Sequence, residues 1–355
     1  MRLRVLPSLA VLAACSLLTG VGCGTGGPAP GRDAGSGDPT RTVLRLGHFP
    51  NLTHAQALLA RADGSLEKAL GGRVEWTTFN AGPSAVEALF AGAIDATYIG
   101  PNPAINGHLK SRGEAFVLVA GAASGGAALV VRPASGIRTD RDFHGRRVAT
   151  PQLGNTQDVA ARIWFQQRGY TTTEKGGDLT ILPLANPDQL LMMQKGEIDA
   201  AWTIEPWVSR LEQEAGAQVL VEERTLWPEG RYPTALLVVR REYLASHPER
   251  VRALVGAHVD ETLRLRSGAE ALVPELSAMV KQLTSKALPD SVIRSALSRL
   301  EFIWDPLESA IARSADDAHR VGFLRVRPDL TGLVERGPLD AVLRQKGMAA
   351  GSVTR

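Results

Sequence analysis

The chain runs to 355 residues, and its 40 lysines and arginines nearly balance 37 aspartates and glutamates, leaving a formal charge of +3. Arg2 and Arg4 supply two of those charges, and the pairs Arg146-Arg147 and Arg240-Arg241 flank apolar strand-like runs, which argues against a basic stripe for nucleic acid. The only cysteines are Cys15 and Cys23, so the sequence after them holds no disulfide, no thiolate nucleophile and no thiolate metal site.

The first element is a leader. Arg2 and Arg4 precede a run from Val5 to Leu18 that is apolar apart from Pro7, Ser8 and Ser16. This is the pattern of a secretory signal, and it is shorter than a membrane span. Leu12-Ala13-Ala14-Cys15 fits the small-residue rule of bacterial lipoprotein cleavage better but leaves a very short apolar stretch. Gly20-Val21-Gly22-Cys23 gives the more usual length, so residues 1–23 are expected to be the leader, with Cys23 lipidated and Cys15 as the alternative. An ordinary signal peptide with incidental cysteines is the plainer reading. Residues 24–40 are nearly all Gly, Pro, Ala, Ser, Thr and Asp, a composition that cannot bury enough apolar surface to order itself. The expectation is a flexible tether holding a body on the outer face of the bacterial cytoplasmic membrane by a lipid.

The body reads as two related halves. Shifted by 104 residues, the segment Pro83 to Ala96 lies over Pro187 to Ala200 without gaps. Each copy opens on a proline suited to the first turn of a helix, ends the helix on a glycine (Gly92, Gly196), and continues into Ile-Asp-Ala. A strand is expected before each helix, Val74 to Phe79 and Leu179 to Leu184. The same register places Thr42–Leu46 over Arg146–Thr150, each followed by a polar loop and a helix, His54 to Ala60 and Asp158 to Gln166. The order is βαβαβ twice over, which predicts an α/β fold of two lobes, each a mostly parallel sheet flanked by helices. Phe116–Val131 and Ala235–Val239 are expected to carry the chain between lobes. That gives a first lobe of 41–131 plus 236–345, a second of 132–235, and hinge crossings near 132 and 235. Apolar positions such as Val251, Leu254 and Val255, at helical spacing, are expected to complete the first lobe.

Ligands of open α/β sheets collect where strands end and helices begin. The loop of residues 47–54 offers Pro50 and His54, and its counterpart of residues 151–158 offers Asn155, Thr156 and Gln157. Helix N-termini bring unpaired N–H groups to such loops and favour an oxyanion, although simple capping explains either loop taken alone. Gly100 would let a ligand approach the backbone and Asn102 can donate or accept, while a rigid turn with no ligand explains that loop equally well. Ser124 and Gly125 lie on the first crossing. Glu205 would oppose a bare anion but suit an amine or hydroxyl; the alternative is a surface ion pair with an arginine or lysine. Trp207 and Tyr232 could form an apolar wall, or belong to the core.

Taken in order, Leu44 to Gly47, Ala81 to Pro83 with Ala88-Leu89, Gly92 to Ala96, Gly100 to Pro103, Gly154 to Asp158, and Ile198 to Ala200 through Glu205 to Trp207 resemble the periplasmic or lipoprotein solute-binding proteins of ABC importers for nitrate, sulfonates and taurine. The resemblance covers roughly residues 41–340. It implies a type II periplasmic-binding-protein-like fold with two crossings, closing on a small anionic or zwitterionic solute and docking, as a monomer, to an ABC permease in the membrane. Taurine- and sulfonate-binding relatives often carry Asp-Pro where this chain has Glu205-Pro206, and the acid tilts the expectation toward sulfonates or amine-bearing anions over nitrate. No cofactor is expected. An enzyme of related fold, a desulfinase or a pyrimidine synthase, would want a cysteine nucleophile or clustered Cys and His, and the seven histidines show no metal spacing. A sensor signalling to a membrane partner would use the same binding body.

Overall fold

The computed structural model describes residues 43–349, all within one unit, Pro39–Arg355. The leader, both cysteines and the tether lie outside the described residues.

The first half builds β1 (Leu44–His48), α1 (Ala55–Asp63), α2 (Ser65–Leu70), β2 (Val74–Thr78), α3 (Gly82–Phe90), β3 (Ala96–Ile99), α4 (Pro101–Lys110) and β4 (Phe116–Gly125). The second builds β5 (Ala127–Val131), β6 (Arg147–Thr150), α5 (Thr156–Gln167), β7 (Thr180–Pro183), α6 (Asn186–Lys195), β8 (Ala200–Ile204), α7 (Trp207–Ala215) and β9 (Gln218–Glu222). The chain then returns through β10 (Pro233–Arg240) into α8 (Arg241–Ser246), α9 (Pro248–Gly268), α10 (Val273–Thr284), α11 (Asp290–Ser298), β11 (Leu300–Phe302), α12 (Glu308–Arg320) and α13 (Gly337–Gln345). Two sheets result, ordered β11-β4-β10-β3-β1-β2 and β7-β6-β8-β5-β9. In the first, β1 runs parallel to β2 and β3 while β10 opposes β3 and β4. In the second, β6 runs parallel to β7 and β8 while β5 opposes β8 and β9.

Both faces of each sheet are covered, which is why the central strands read as continuous apolar runs. Along β4, Val117 and Val119 point into one core and Phe116 and Leu118 into the other. Leu237 and Val239 on β10 divide from Leu236 and Val238 in the same way, and Leu129 and Val131 on β5 from Ala128 and Val130. Val251, Leu254 and Val255 of α9 join the first of these cores.

The two halves share more than an outline. Asp95 accepts the Arg45 backbone N–H at 2.9 Å, and Asp199 accepts that of Arg147 at 2.9 Å. The gapless register does not extend upstream, however. Leu46 pairs with Ala96 but Val148, not Thr150, pairs with Ala200. The strand-to-helix loop is therefore two residues longer in the second half, and Gly154 turns it at φ 76.

The crossings also fall earlier than expected. The chain leaves the first sheet at Gly125 and enters the second at Ala127, rather than near 132, and it returns between Glu222 and Pro233. Gly125 and Gly126, at φ 80 and 76, make the break.

Candidate functional site

The loops after β1 and β3 meet the loops after β6 and β8 across the two lobes. Between them lies a narrow cleft of about 20 Å³, room for roughly one water. The first lobe lines it with Asn51, Thr53, His54, Asn80, Gly100 and Thr234, and the second with Asn155, Thr156, Gln157, Asn186 and Ile204. These walls contain amides, hydroxyls and one imidazole, and no lysine, arginine, aspartate or glutamate.

Local sequence sets these groups in place. Asn155 stands at the N-cap of α5 but caps none of its N–H groups; its Nδ2 donates instead to Gln157 Oε1 at 3.0 Å. Asp158 holds the loop from beneath, accepting Thr150 Oγ1 at 2.8 Å, the Gly154 N–H at 2.9 Å and Arg162 Nε at 3.2 Å. The start of α5 is thus rigid while its first turn stays open toward the cleft, where the helix dipole favours negative charge. Thr156 Oγ1 is buried there without a hydrogen-bond partner, an arrangement that costs free energy unless a ligand or water supplies one.

His54 answers from the other lobe. Its Nδ1 accepts the Phe49 N–H at 3.1 Å, and burial pushes its imidazole well below the ordinary value, with His48 adding to the shift. The ring is therefore neutral with its proton on Nε2, a donor. Burial likewise lowers His48 to about 4. An oxyanion placed here would meet dipoles and hydrogen-bond donors rather than a full counter-charge.

Of the residues singled out from sequence, His54, Gly100, Asn155, Thr156 and Gln157 come together in this cleft. The others do not. Pro50 and Trp207 border a wider vestibule outside it, and Trp207 Nε1 donates to Asn51 Oδ1 across the lobes at 3.2 Å. Asn102 lies buried in α4 with Nδ2 unpartnered, outside the cleft wall. Ser124 Oγ accepts the Tyr232 N–H at 3.2 Å, which fixes the crossing. A side chain at Gly125 would strike the Arg299 carbonyl and Arg224. Tyr232 stacks on Trp227 with centroids 5.2 Å apart.

Glu205 is the clearest correction. It is turned away from the cleft and fully buried, accepting the Ser209 N–H at 3.1 Å, Ser209 Oγ at 2.9 Å and Arg299 Nη1 at 3.0 Å. It caps α7 and pairs with an arginine inside the protein, so it offers nothing to a solute amine. Burial pushes its carboxyl up to about 7, against the pull of Ser209 and Arg299.

Sequence reasoning passed over Asn51, Thr53, Asn80, Asn186 and Thr234. One signal was present for the first: Asn51 stands 104 positions before Asn155. Both residues are N-caps, their carbonyls accepting the N–H of His54 at 3.0 Å and of Asp158 at 3.1 Å.

Residues 37–277 match the model of a family described as NMT1-like. Among curated proteins, the taurine-binding periplasmic protein of Escherichia coli K12 is 30% identical over 208 residues, 58% of this chain and 61% of that protein. The match thus spans less than two thirds of that relative. The alkanesulfonate-binding protein SsuA from Xanthomonas axonopodis pv. citri, solved bound to MOPS, superposes with a TM-score of 0.70 at 22% identity, covering 84% of this chain and 99% of that one. The periplasmic nitrate-binding protein NrtA from Synechocystis PCC 6803 superposes with a TM-score of 0.73 at 14% identity, covering 86% and 89%. These structural likenesses give the fold, the two-lobed architecture of periplasmic binding proteins.

Proposed function

The chain belongs to the NMT1-like family, and from that premise we propose that it is an extracytoplasmic solute-binding protein of an ABC importer, capturing a small sulfonate-type anion by hinge closure. The observation that carries this reading is the unpartnered Thr156 hydroxyl at the open first turn of α5, in a cleft without charged walls between two lobes. A sulfonate head spreads one charge over three oxygens, and it suits several neutral donors better than a single cation. Solute would bind one lobe first, and the second lobe would add its donors on closing, so the closed state is selected by contacts available only there. The vestibule outside the cleft favours sulfonates over nitrate, because it leaves room for an organic body. The taurine-binding and alkanesulfonate-binding relatives support the same class.

Lipidation at Cys23, the tether of residues 24–40, docking to a permease and a monomeric state belong to this proposal. Among the described residues no helix is long and apolar enough to cross a membrane.

A thermal-shift screen of the purified chain against taurine, short alkanesulfonates, nitrate and bicarbonate tests the function. A ligand that binds only the folded state raises the melting temperature by mass action. A shift confined to sulfonates is the expected result; a shift with nitrate or bicarbonate alone would overturn the class. X-ray scattering with saturating ligand should show a fall in radius of gyration, and no change would overturn hinge closure.

A further inference from the structure

The cleft does not end blindly. Asn51, Asn80 and Asn186 line it and also line a vestibule of about 450 Å³ between the lobes. We infer that this vestibule is a second subsite, which holds the apolar or aromatic body of a sulfonate and discriminates against an ammonium-bearing one. The inference rests on the sulfonate reading above and deepens it.

Size separates the two spaces. The cleft has space for about one water as it stands, so any opening that admits a sulfonate head leaves the organic body to the larger vestibule beside it. There part of the wall is apolar: Leu190 and Leu191 of α6, Trp207 of α7 and Leu283 of α10 line it alongside polar groups such as Asn80 and Gln194. Leu191 is 44% exposed. An exposed leucine at the rim of a cleft is surface a ligand body can cover.

Charge points the same way. The ionic residues on the vestibule wall are Arg210 and Lys286, and no carboxylate is among the lining residues. Both cations are held by Glu214, Arg210 Nε at 2.6 Å and Lys286 Nζ at 2.8 Å. One carboxylate shared by two cations leaves the rim net positive. Arg210 also lies over the Trp207 ring, 4.3 Å from its centroid, which occupies one aromatic face a solute cation could have used. Glu205, the acid that the sequence offers to an amine, is bound to Arg299. An aminoethyl body would bring its ammonium to a positive rim that offers amide and hydroxyl oxygens, from Asn51, Asn80, Asn186 and Gln194 among others, but no carboxylate to balance its charge, whereas a propyl body of the same size carries no charge to balance.

The location adds a consequence for motion. Leu283 belongs to the first lobe and Leu190 to the second, so a body lying between them contacts both and favours the closed state. Longer apolar bodies should therefore raise both affinity and the degree of closure.

Titration calorimetry of the full chain with methanesulfonate, propanesulfonate, hexanesulfonate, benzenesulfonate and taurine tests this. The expected result is an affinity rising by about fourfold per methylene buried, with propanesulfonate at least tenfold tighter than its isostere taurine. Leu283→Ser and Leu191→Ser, both at partly exposed positions, should each lower the ratio of hexanesulfonate to methanesulfonate affinity. Equal affinities along the series, or taurine binding as tightly as propanesulfonate, would overturn the inference and leave the proposed function standing. Failure of every sulfonate to bind would overturn both.

Discussion

Arg299, just past α11, donates from Nη1 to Glu205 Oε1 at 3.0 Å and so ties the C-terminal segment of the first lobe to the start of α7 in the second. The same guanidinium reaches Glu212 at 2.9 Å and Glu222 at 2.9 Å, and the Arg299 carbonyl accepts Arg224 Nη2. A single cation thus gathers three carboxylates at the boundary between lobes. Arg299→Met should destabilise the chain by about 3–5 kcal/mol, because it strands a buried carboxylate. Glu205→Gln leaves Arg299 its other two partners and should cost less, about 1–3 kcal/mol. Urea denaturation of both variants and of the double variant checks this; the double variant should lose less than the sum of the two.

Glu223 supplies a pH dependence. It is buried, with Trp202 Nε1 donating to its Oε2 at 2.7 Å, and burial pushes its carboxyl up from 4.5 to about 7. The folded state therefore holds a proton that the unfolded chain has already released, and this contribution is full below about pH 4.5 and lost as pH rises through 7. The buried histidines act oppositely, since burial lowers His48 and His258 to about 4. They stay neutral in the folded chain and cost stability as pH falls below 6.5. Total stability mixes the two trends, so the informative quantity is the difference between variant and parent. Relative to the parent, Glu223→Gln should gain on the order of 2 kcal/mol between pH 5 and pH 8, read from denaturation midpoints at each pH. A constant difference would mean that Glu223 is ionised throughout.

Gly100 and Thr156 set how closely the lobes approach. A Cβ on Gly100 would stand 2.4 Å from Thr156 Oγ1, in the opposite lobe. The Gly100 backbone, at φ -74 and ψ 159, accepts alanine without strain. Gly100→Ala should therefore fold normally and close poorly, at about 1–3 kcal/mol of overpacking in the closed state, or roughly 5- to 150-fold in affinity. Calorimetry together with scattering on the ligand-saturated variant would detect weaker binding and a larger radius of gyration.

The fold was legible because its punctuation is local. Prolines at helix starts, glycines at helix ends, and aspartates that accept the next strand's backbone all act within a few residues or one strand pairing, and all recur. The crossing is marked only by Gly125-Gly126 inside a long apolar run, and a glycine pair does not by itself say that the chain changes sheets. β4 and β5 are apolar on both faces, so composition does not change where the chain passes from one sheet to the other. The site divides along the same line. Asn155, Thr156 and Gln157 were visible as the start of a helix, a short-range property. Glu205 stayed open between a solute contact and a surface pair with an arginine or lysine because its partner, Arg299, lies 94 residues further on, and only tertiary structure brings them together and buries the pair. Asn51 sits between these cases: the repeat places it over Asn155, but nothing in the sequence of its loop says which polar residue turns toward the cleft.

Thr156 provides the most direct test of the cleft. Its hydroxyl is buried and unpartnered in the closed arrangement of the lobes, where it bears a desolvation cost unless ligand or water supplies a bond. Replacing it with valine keeps the shape and removes the unmet polar group. Thr156→Val should leave the melting temperature of the ligand-free protein unchanged or slightly higher. If the hydroxyl donates to a sulfonate oxygen, the same change should weaken binding by about 1.5–3 kcal/mol, the range for a hydrogen bond to a charged group, or roughly 10- to 150-fold in Kd. A residue that merely packs would show the reverse, a lower melting temperature with affinity intact. Melting curves with and without methanesulfonate separate the two roles in a single experiment.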